Sequence, residues 1–327
     1  MHMTTQTGET APTTISQKTK WLKDRYWRFG MEEVIDDHLF DLFEIDDDGE
    51  MTAQPRIDPL TGESRGLMVI GRSGDGKTAL LKRTLRTSSV LTEMTDQQEG
   101  NTLYITVRPD ATIKKLAEVI LAATGYQRVD AKLRSADAWE MVMHRLSLVG
   151  VQLVVIDECH HLFRPGAGRD KLGAIQSMKH LLQSAGGLSI IIAGVADLRE
   201  AILSETSGET YRRLQELDLD DIRPGSRETK VFATNFRKSA EILGIEVSEG
   251  DAFVERILFA RNGQIGRSVA LAKAILHDAV TRRRTMLSLE RAEAVYRKNR
   301  QGSDMTPFHA AEWGTVKREL EAIGWKA

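Results

Sequence analysis

The fold is decided by the stretch Leu67-Met68-Val69-Ile70-Gly71-Arg72-Ser73-Gly74-Asp75-Gly76-Lys77-Thr78. Four apolar residues with β character lead into a Gly-x-x-x-x-Gly-Lys-Thr segment, and residues 79–85 have the spacing of a helix. A strand, a glycine-rich turn and a helix in this order form a loop whose backbone N–H groups and helix dipole attract phosphate oxygens. The pattern therefore predicts that the chain binds a nucleoside triphosphate.

The loop also predicts a role for each of its side chains. Lys77 would reach the β- and γ-phosphates of ATP, and the Thr78 hydroxyl would be a ligand of Mg²⁺. The predicted nucleotide-binding residues are Gly71, Arg72, Ser73, Gly74, Asp75, Gly76, Lys77, Thr78 and Ala79.

The composition is that of an ordinary globular chain. With 327 residues, it is long enough for a large α/β domain and a smaller helical one. The net charge of −2 argues against binding nucleic acid through overall basicity, although it leaves room for a local basic surface. No apolar run is long enough to cross a membrane, and the single cysteine suits a reducing cytoplasm.

Strand and helix signals alternate after the loop. Nearly continuous apolar runs predict buried strands at residues 102–107, 151–156 and 188–193, with helices at 113–123, 136–148 and 172–184. Beyond Pro224 the signals are helical only, at residues 227–243, 251–260, 265–281 and 288–298. The predicted fold is an α/β core, with a parallel sheet covered by helices on both faces, followed by a small helical lid.

The predicted organisation has five parts. They are a disordered tail (1–18), a helical extension (19–64), the α/β core (65–225), the lid (226–300) and a C-terminal tail (301–327).

Two acidic residues end the strand Leu153-Val154-Val155-Ile156. Asp157 would lie beside Thr78 and hold Mg²⁺ directly or through water. Glu158 would orient and deprotonate the attacking water. Together the two carboxylates predict hydrolysis of the nucleotide.

The next residues, Cys159-His160-His161, raise the question of a metal site. Adjacent ligand types with no second His or Cys cluster nearby cannot readily complete a tetrahedral zinc site. The alternative is that His160 couples the state of the nucleotide to neighbouring elements, while His161 packs.

Taken together, these residues resemble the AAA+ superfamily and, within it, the TniB/TnsC family of transposition ATPases. The resemblance runs from about Trp21 to the tail. It is carried by residues 71–78, Val155-Ile156-Asp157-Glu158-Cys159-His160-His161-Leu162, Lys179-His180-Leu181-Leu182, Leu188-Ser189-Ile190-Ile191-Ile192-Ala193-Gly194 and Thr210-Tyr211-Arg212-Arg213-Leu214.

The resemblance implies roles for three arginines. Arg212 or Arg213 would be an arginine finger that enters the neighbouring subunit's site and stabilises charge on the transferred phosphoryl group. Arg267 would be a lid sensor that reaches the γ-phosphate within its own subunit. The other sensor position, at the end of the last core strand, lacks a polar side chain, and Ser189 or Gln183 would have to substitute.

Each end of the chain has two interpretations. The segment from Trp21 to Trp27 resembles the family's N-terminal segment, which borders the adenine pocket; the alternative is an amphipathic helix whose aromatic residues pack on the core. Met305-Thr306-Pro307-Phe308 resembles the family's Asn-Pro-Phe-type tail and suits docking onto a partner. A plain helix over residues 310–323 is compatible with that docking role.

The resemblance also implies an ATP-dependent ring or helical filament around duplex DNA. Weak contacts to phosphate, repeated along such an assembly, need no basic overall charge. The predicted DNA-binding residues are Arg108, Thr112, Lys114, Lys115, Arg128, Lys132 and Arg134. The run Arg282-Arg283-Arg284 is expected instead to stabilise the end of a lid helix.

The predicted function is that of a regulator of transposition that binds duplex DNA with ATP, self-assembles, recruits transposase together with a target-selection protein, and disassembles on hydrolysis. The alternatives are a helicase-loader-like ATPase and a signalling NTPase switch that does not bind DNA.

Overall fold

The computed structural model describes residues 12–95, 97–126, 130, 132–163, 168–183, 187–298 and 305–325. The chain divides into two compact units, Gly30–Leu219 and the combination of Met1–Phe29 with Asp220–Ala327. We call the first the core unit and the second the helical unit. None of the described helices is long and apolar enough to span a bilayer.

Strands occur in the core unit and helices in both units. The strands are β1 (Phe43–Ile45), β2 (Met51–Pro55), β3 (Gly66–Ile70), β4 (Thr102–Thr106), β5 (Leu153–Asp157), β6 (Ser189–Gly194) and β7 (Leu214–Asp218). The helices that precede β7 in the chain are α1 (Ile15–Asp24), α2 (Met31–Leu42), α3 (Lys77–Thr87), α4 (Ile113–Ala123), α5 (Ser135–Leu148), α6 (Gly168–Leu182), α7 (Ala196–Leu203) and α8 (Glu209–Arg212). They are followed by α9 (Arg227–Leu243), α10 (Phe253–Ala260), α11 (Ile265–Thr281), α12 (Leu289–Arg297) and α13 (Trp313–Ala322). Of these helices, α1 and α9 to α13 belong to the helical unit.

A parallel sheet with the strand order β4-β5-β6-β3-β7 forms the centre of the core unit. Strands β3, β5 and β6 are buried along their whole length. Successive side chains of a strand point to opposite faces. Accordingly, Leu67 and Val69 of β3 join one hydrophobic cluster, while Met68 and Ile70 join another. Both faces of the sheet are therefore covered, which confirms the predicted α/β fold class.

The sequence patterns missed the edge strand β7 and the hairpin β1–β2. Strand β7 reads Leu-Gln-Glu-Leu-Asp and pairs only with β3, so Leu214 and Leu217 alone are buried. A strand with one neighbour needs no continuous apolar run. The antiparallel pair β1–β2 lies inside residues 19–64, so the segment predicted as a helical extension contains a hairpin besides its helices.

The predicted disordered tail is too long. Helix α1 begins at Ile15, because Thr14 accepts a hydrogen bond from the backbone of Gln17 and the Gln17 side chain accepts one from the backbone of Thr14. Such a reciprocal capping box stabilises the first turn of a helix. Residues 15–18 are therefore helical, and residues 1–11 lie outside the described part.

The aromatic residues near the N-terminus pack inside the helical unit. The Trp27 ring meets Phe232 of α9 edge-on at 5.2 Å between centroids. Lys18 donates a hydrogen bond of 2.6 Å to the Leu243 carbonyl at the other end of α9. Trp27 lies after the end of α1 and packs on α9, and the proximity of residues 21–27 to an adenine pocket stays a prediction. The four helices predicted beyond Pro224 are present as α9 to α12.

The Thr306-Pro307-Phe308 peptide is also part of the helical unit. Phe308 is fully buried against Tyr296, with 5.6 Å between ring centroids. The Thr306 hydroxyl donates to Glu293. A partner could bind this peptide only if it left the fold, so the structure does not support an exposed docking peptide. Helix α13 follows it, as the compatible interpretation predicts.

Arg256 holds the segment that contains this peptide. Its side chain, with only 1% of its surface exposed, donates hydrogen bonds to the carbonyls of Pro307 (2.6 Å), His309 (3.1 Å) and Ala311 (2.6 Å). Burial lowers the pKa of the Arg256 guanidinium. One cationic side chain therefore holds three carbonyls of residues 307–311 through charge-assisted hydrogen bonds.

Replacing Arg256 with Met is expected to lower the free energy of unfolding of the helical unit by roughly 1–3 kcal/mol, since the buried carbonyl of Pro307 would lose its donor, whereas His309 and Ala311 are exposed residues. Urea unfolding followed by tryptophan fluorescence would measure this loss, because Trp313 lies 5.1 Å from the guanidinium. The matched control is Lys238→Met, at an exposed position of α9. Equal stability of the two variants would contradict the assignment.

Candidate functional site

The glycine-rich segment between β3 and α3 forms an open loop with the backbone geometry of a phosphate site. Gly74 and Gly76 have φ values of 92° and 101°, in the left-handed region that favours glycine. Helix α3 begins directly after Gly76, so its first N–H groups face the loop. Of the other predicted nucleotide-binding residues, Arg72, Ser73, Thr78 and Ala79 are exposed, whereas Gly71 and Asp75 are buried. The loop can therefore surround an anion with backbone donors.

Lys77 folds back over this loop. Its ammonium donates to the carbonyls of Gly71 at 2.6 Å and Arg72 at 3.1 Å, and only 4% of the residue is exposed. Burial lowers the pKa of Lys77, while the charges of Glu158 and Asp75 oppose that shift. The arrangement holds one positive charge at the mouth of the loop, where a phosphate would be neutralised.

Thr78 and Asp157 meet across the gap between α3 and β5. The Thr78 hydroxyl donates to Asp157 Oδ2 at 2.6 Å. The same oxygen accepts a hydrogen bond of 2.7 Å from the Tyr104 hydroxyl on the neighbouring strand β4. Burial and the bond to Asp157 raise the pKa of the Tyr104 phenol. Two oxygen ligands, one of them anionic, suit a hard cation such as Mg²⁺.

Tyr104 is a site residue that the sequence patterns did not indicate. It pairs in register with Val155, two residues before Asp157, so both side chains point to the same face. The signal was a tyrosine in the strand Thr-Leu-Tyr-Ile-Thr, but only the register between β4 and β5 connects it with the carboxylate.

Glu158 adopts an unusual backbone conformation, with φ of 55°. Its N–H donates to Asp157 Oδ1 at 2.8 Å. Backbone strain of this kind in a non-glycine residue is characteristic of functional sites. The turn directs the Glu158 carboxylate toward His160 and His161, while Cys159 is fully buried in the hydrophobic core. Burial raises the pKa of the Cys159 thiol.

The two substitutes considered for the missing sensor lie at the wrong end of the sheet. Ser189 begins β6, five residues before Gly194, a separation of about 16 Å along a strand. Gln183 donates to Glu63, which precedes β3. A Cβ atom at Gly194 would lie 2.9 Å from Leu198 and 3.3 Å from His160. The end of β6 therefore has no room for a polar side chain, and Ser189 and Gln183 are ruled out at that position.

Arg212 and Arg213 lie near the amino ends of the strands. Leu214 begins β7 and pairs with Gly66 at the start of β3, whereas the phosphate loop follows Ile70 at its end. The two arginines are thus separated from their own chain's loop by the length of the sheet, about 16 Å. Neither arginine is placed to reach the loop of its own subunit.

The environments of the two arginines differ. Arg213 is mostly buried and forms two hydrogen bonds with Glu63, one of them 2.8 Å long. These bonds lower the pKa of Glu63. Arg212, the last residue of α8, is exposed. The third predicted arginine, Arg267, is exposed near the start of α11 in the helical unit, and its sensor role stays a prediction.

The predicted DNA-binding residues approach one end of the core unit. The Trp139 indole donates to the Ile113 carbonyl at 3.3 Å, and Arg145 bonds to the Thr124 carbonyl. The first bond joins the beginnings of α4 and α5, and the second joins their ends, so the two helices run parallel. Both therefore begin at the edge of the core unit where β4 ends. The exposed residues at these starts and ends are Arg108, Thr112, Lys115 and Arg134, with Lys114 half-buried. We call Arg108, Thr112, Lys114, Lys115 and Arg134 the basic edge. Lys132 is exposed in the loop before α5. Arg128 lies outside the described residues.

Several side chains of this group also bind within the chain. Thr112 caps α4 by accepting the Lys115 N–H. Lys115 pairs with Glu118, and Arg134 forms a bidentate pair with Asp137. The basic run at residues 282–284 belongs to the helical unit. There Arg282 forms an ion pair with Asp278, which also pairs with Arg291.

Comparison with known proteins agrees with this description. The family profile of the bacterial TniB protein matches residues 56–223. No curated protein matches the chain. Among solved structures, the Aeropyrum pernix ORC2 protein (ADPNP-ADP complexes) is similar with a TM-score of 0.55 and 16% identity, covering 87% of this chain and 72% of that one.

Two further structures show the same fold. The Aeropyrum pernix ORC1 protein in complex with DNA gives a TM-score of 0.56 and 18% identity over 84% of this chain and 66% of that one. Cdc6p from Pyrobaculum aerophilum gives 0.53 and 11% over 88% and 68%. The family profile covers more than half of the chain and includes both the loop and the acidic pair. The chain therefore belongs to the bacterial TniB family, and its fold is that of an AAA+ ATPase.

Proposed function

We propose that this chain is an ATP-dependent, DNA-binding regulator of transposition, whose nucleotide site is completed by a second copy of the chain. The observation that carries the proposal is the position of Arg212. It is exposed and lies about 16 Å from its own loop, so a catalytic role would require it to act in a neighbour's site. Assembly and ATP hydrolysis would then depend on each other.

Within one subunit, different residues would bind the phosphates of ATP, bind Mg²⁺ and activate the attacking water. The loop N–H groups and Lys77 hold the phosphates, and the Thr78 hydroxyl with Asp157 Oδ2 forms the oxygen pair that fits Mg²⁺. When bound, Mg²⁺ would neutralise charge on the phosphate oxygens. Glu158, the residue after Asp157, would accept a proton from the attacking water.

The basic edge supports the DNA part of the proposal. Cationic side chains and two helix N-termini occur together there, and both attract phosphates without reading the sequence of bases. One copy binds weakly, and repetition along an assembly would raise the affinity. A similar fold is known in complex with DNA, in the ORC1 protein.

The link to transposition rests on the resemblance to the TniB/TnsC family of transposition ATPases, and the TniB family profile matches residues 56–223. We infer that the assembly marks a target on duplex DNA and recruits transposase together with a target-selection protein. Hydrolysis of ATP would then release the subunits from the DNA and from each other.

The test is DNA binding with and without nucleotide. Wild-type protein should bind duplex DNA tightly only with Mg²⁺ and a slowly hydrolysed ATP analogue, and electron microscopy should show rings or filaments around the duplex. The double charge reversal Arg108→Glu/Lys132→Glu should weaken DNA binding at least about tenfold. It should also reduce the steepness of the plot of log affinity against log salt concentration by about 2, because each phosphate contact contributes about 0.9 to that slope.

The control is Lys238→Glu, a charge reversal at an exposed position of the helical unit. It should bind as the wild type does. Nucleotide-dependent assembly without any DNA affinity would overturn the proposal in favour of a signalling switch.

A further inference from the structure

Glu158, His160 and His161 form a group of metal-ligating side chains that shares no residue with the Thr78–Asp157 pair. Glu158 Oε2 lies 3.6 Å from His160 Nε2 and 3.9 Å from His161 Nε2, and one ligand atom of each residue lies within 4.8 Å of the others. In a tetrahedral zinc site with bonds of about 2.1 Å, the ligand atoms lie about 3.4 Å apart. The three side chains need only a small contraction to bind one ion.

We propose that these three residues bind Zn²⁺, and that the bound ion inhibits ATP hydrolysis by occupying the Glu158 carboxylate. Two imidazoles and one carboxylate suit zinc and the neighbouring late transition metals, whereas Mg²⁺ and Ca²⁺ prefer oxygen ligands alone. Three protein ligands leave the fourth position open, as in zinc sites that remain accessible to exchange.

The backbone already holds the ligands in place. Cys159, Leu162 and Phe163 of the short 3-10 helix Cys159–Phe163 are buried in the core, whereas His160 and His161 are each partly exposed. Each imidazole side chain is 16% exposed, and that of Glu158 is 35% exposed, so an ion can reach all three. The missing side chain at Gly194 leaves the space that His160 uses. The third ligand is Glu158, a residue type that a pattern of neighbouring His and Cys does not include.

Inhibition follows because one carboxylate cannot bind zinc and accept a proton from water at the same time. This consequence rests on the proposed function, whereas the binding of zinc does not. Thr78, Asp157 and Lys77 remain free to bind Mg²⁺ and ATP. Zinc should therefore stop turnover and leave nucleotide affinity unchanged.

The experiment uses Co²⁺ as a visible probe for the zinc site in the full-length protein. Wild type should bind one Co²⁺ per chain with the absorption bands of a four- or five-coordinate ion, and Zn²⁺ should displace it. His160→Gln and His161→Gln should each weaken the binding at least about tenfold. The matched control is His144→Gln, which removes an exposed histidine of α5 and should bind Co²⁺ as the wild type does.

A second measurement does not depend on any variant. X-ray absorption of the zinc-loaded wild type should show two imidazoles in the first coordination sphere. Absence of the cobalt bands, or wild-type affinity in both histidine variants, would overturn the zinc site. Zinc binding at the histidines in a protein that hydrolyses no ATP would leave the site intact and contradict the proposed function instead.

Discussion

Replacing Arg212 with Ala is expected to lower kcat for ATP hydrolysis by roughly 10³–10⁵-fold, the range in which arginine fingers act. The guanidinium would stabilise charge that develops on the transferred phosphoryl group, so its loss affects the transition state more than ATP binding. The dissociation constant for ATP should therefore stay close to that of the wild type. Single-turnover hydrolysis and binding of a fluorescent ATP analogue measure the two quantities separately.

Arg213→Ala is the matched control, one residue further along the chain. Arg213 binds Glu63 inside the core unit, so its loss should lower the melting temperature. It should not lower kcat at temperatures where the variant remains folded. The reverse result, with Arg213 critical for turnover and Arg212 dispensable, would contradict the assignment.

A mixing experiment tests whether Arg212 acts across subunits. The Glu158→Gln chain keeps its arginine, and the Arg212→Ala chain keeps its carboxylate. Each alone should be nearly inactive, and a mixture should regain hydrolysis at those junctions where an intact arginine meets an intact carboxylate. No recovery at any ratio would show that the arginine does not complete a neighbour's site.

The phosphate loop and the acidic pair could be predicted because their chemistry constrains neighbouring residues. Glycines at positions 74 and 76 need left-handed backbone angles, and Lys77 must follow them at the start of a helix. These constraints leave a continuous signal in a dozen residues. The buried strands β3, β5 and β6 were equally accessible, because a strand covered on both faces is apolar throughout.

What could not be predicted depends on residues that are distant in the sequence. Arg212 and Arg213 are adjacent and alike, and what distinguishes them is Glu63, 150 residues earlier than Arg213. Tyr104 reaches Asp157 only through the register of two strands. The lack of a polar side chain at the end of β6 is visible in the sequence, whereas the close approach of His160 to Gly194 is visible only in the structure.

The exchange of Glu158 for Gln is expected to separate ATP binding from ATP hydrolysis. The glutamine has nearly the same size but accepts no proton, so kcat should fall by about 10²–10⁴-fold. The N–H to Asp157 hydrogen bond belongs to the backbone and is kept, as are Lys77 and Thr78. ATP affinity should therefore be retained, as measured with a fluorescent nucleotide and by the release of phosphate.

The consequence for assembly is the more discriminating result. If hydrolysis drives disassembly, complexes of Glu158→Gln with duplex DNA should persist after ATP addition, whereas wild-type complexes decay. Lys77→Ala gives the opposite phenotype, since removal of the loop's buried charge should prevent ATP binding and thus any stable complex. If complexes of Glu158→Gln decay as fast as those of the wild type, hydrolysis does not control the release of subunits from DNA. The link between Glu158 and the lifetime of the assembly would then have to be abandoned.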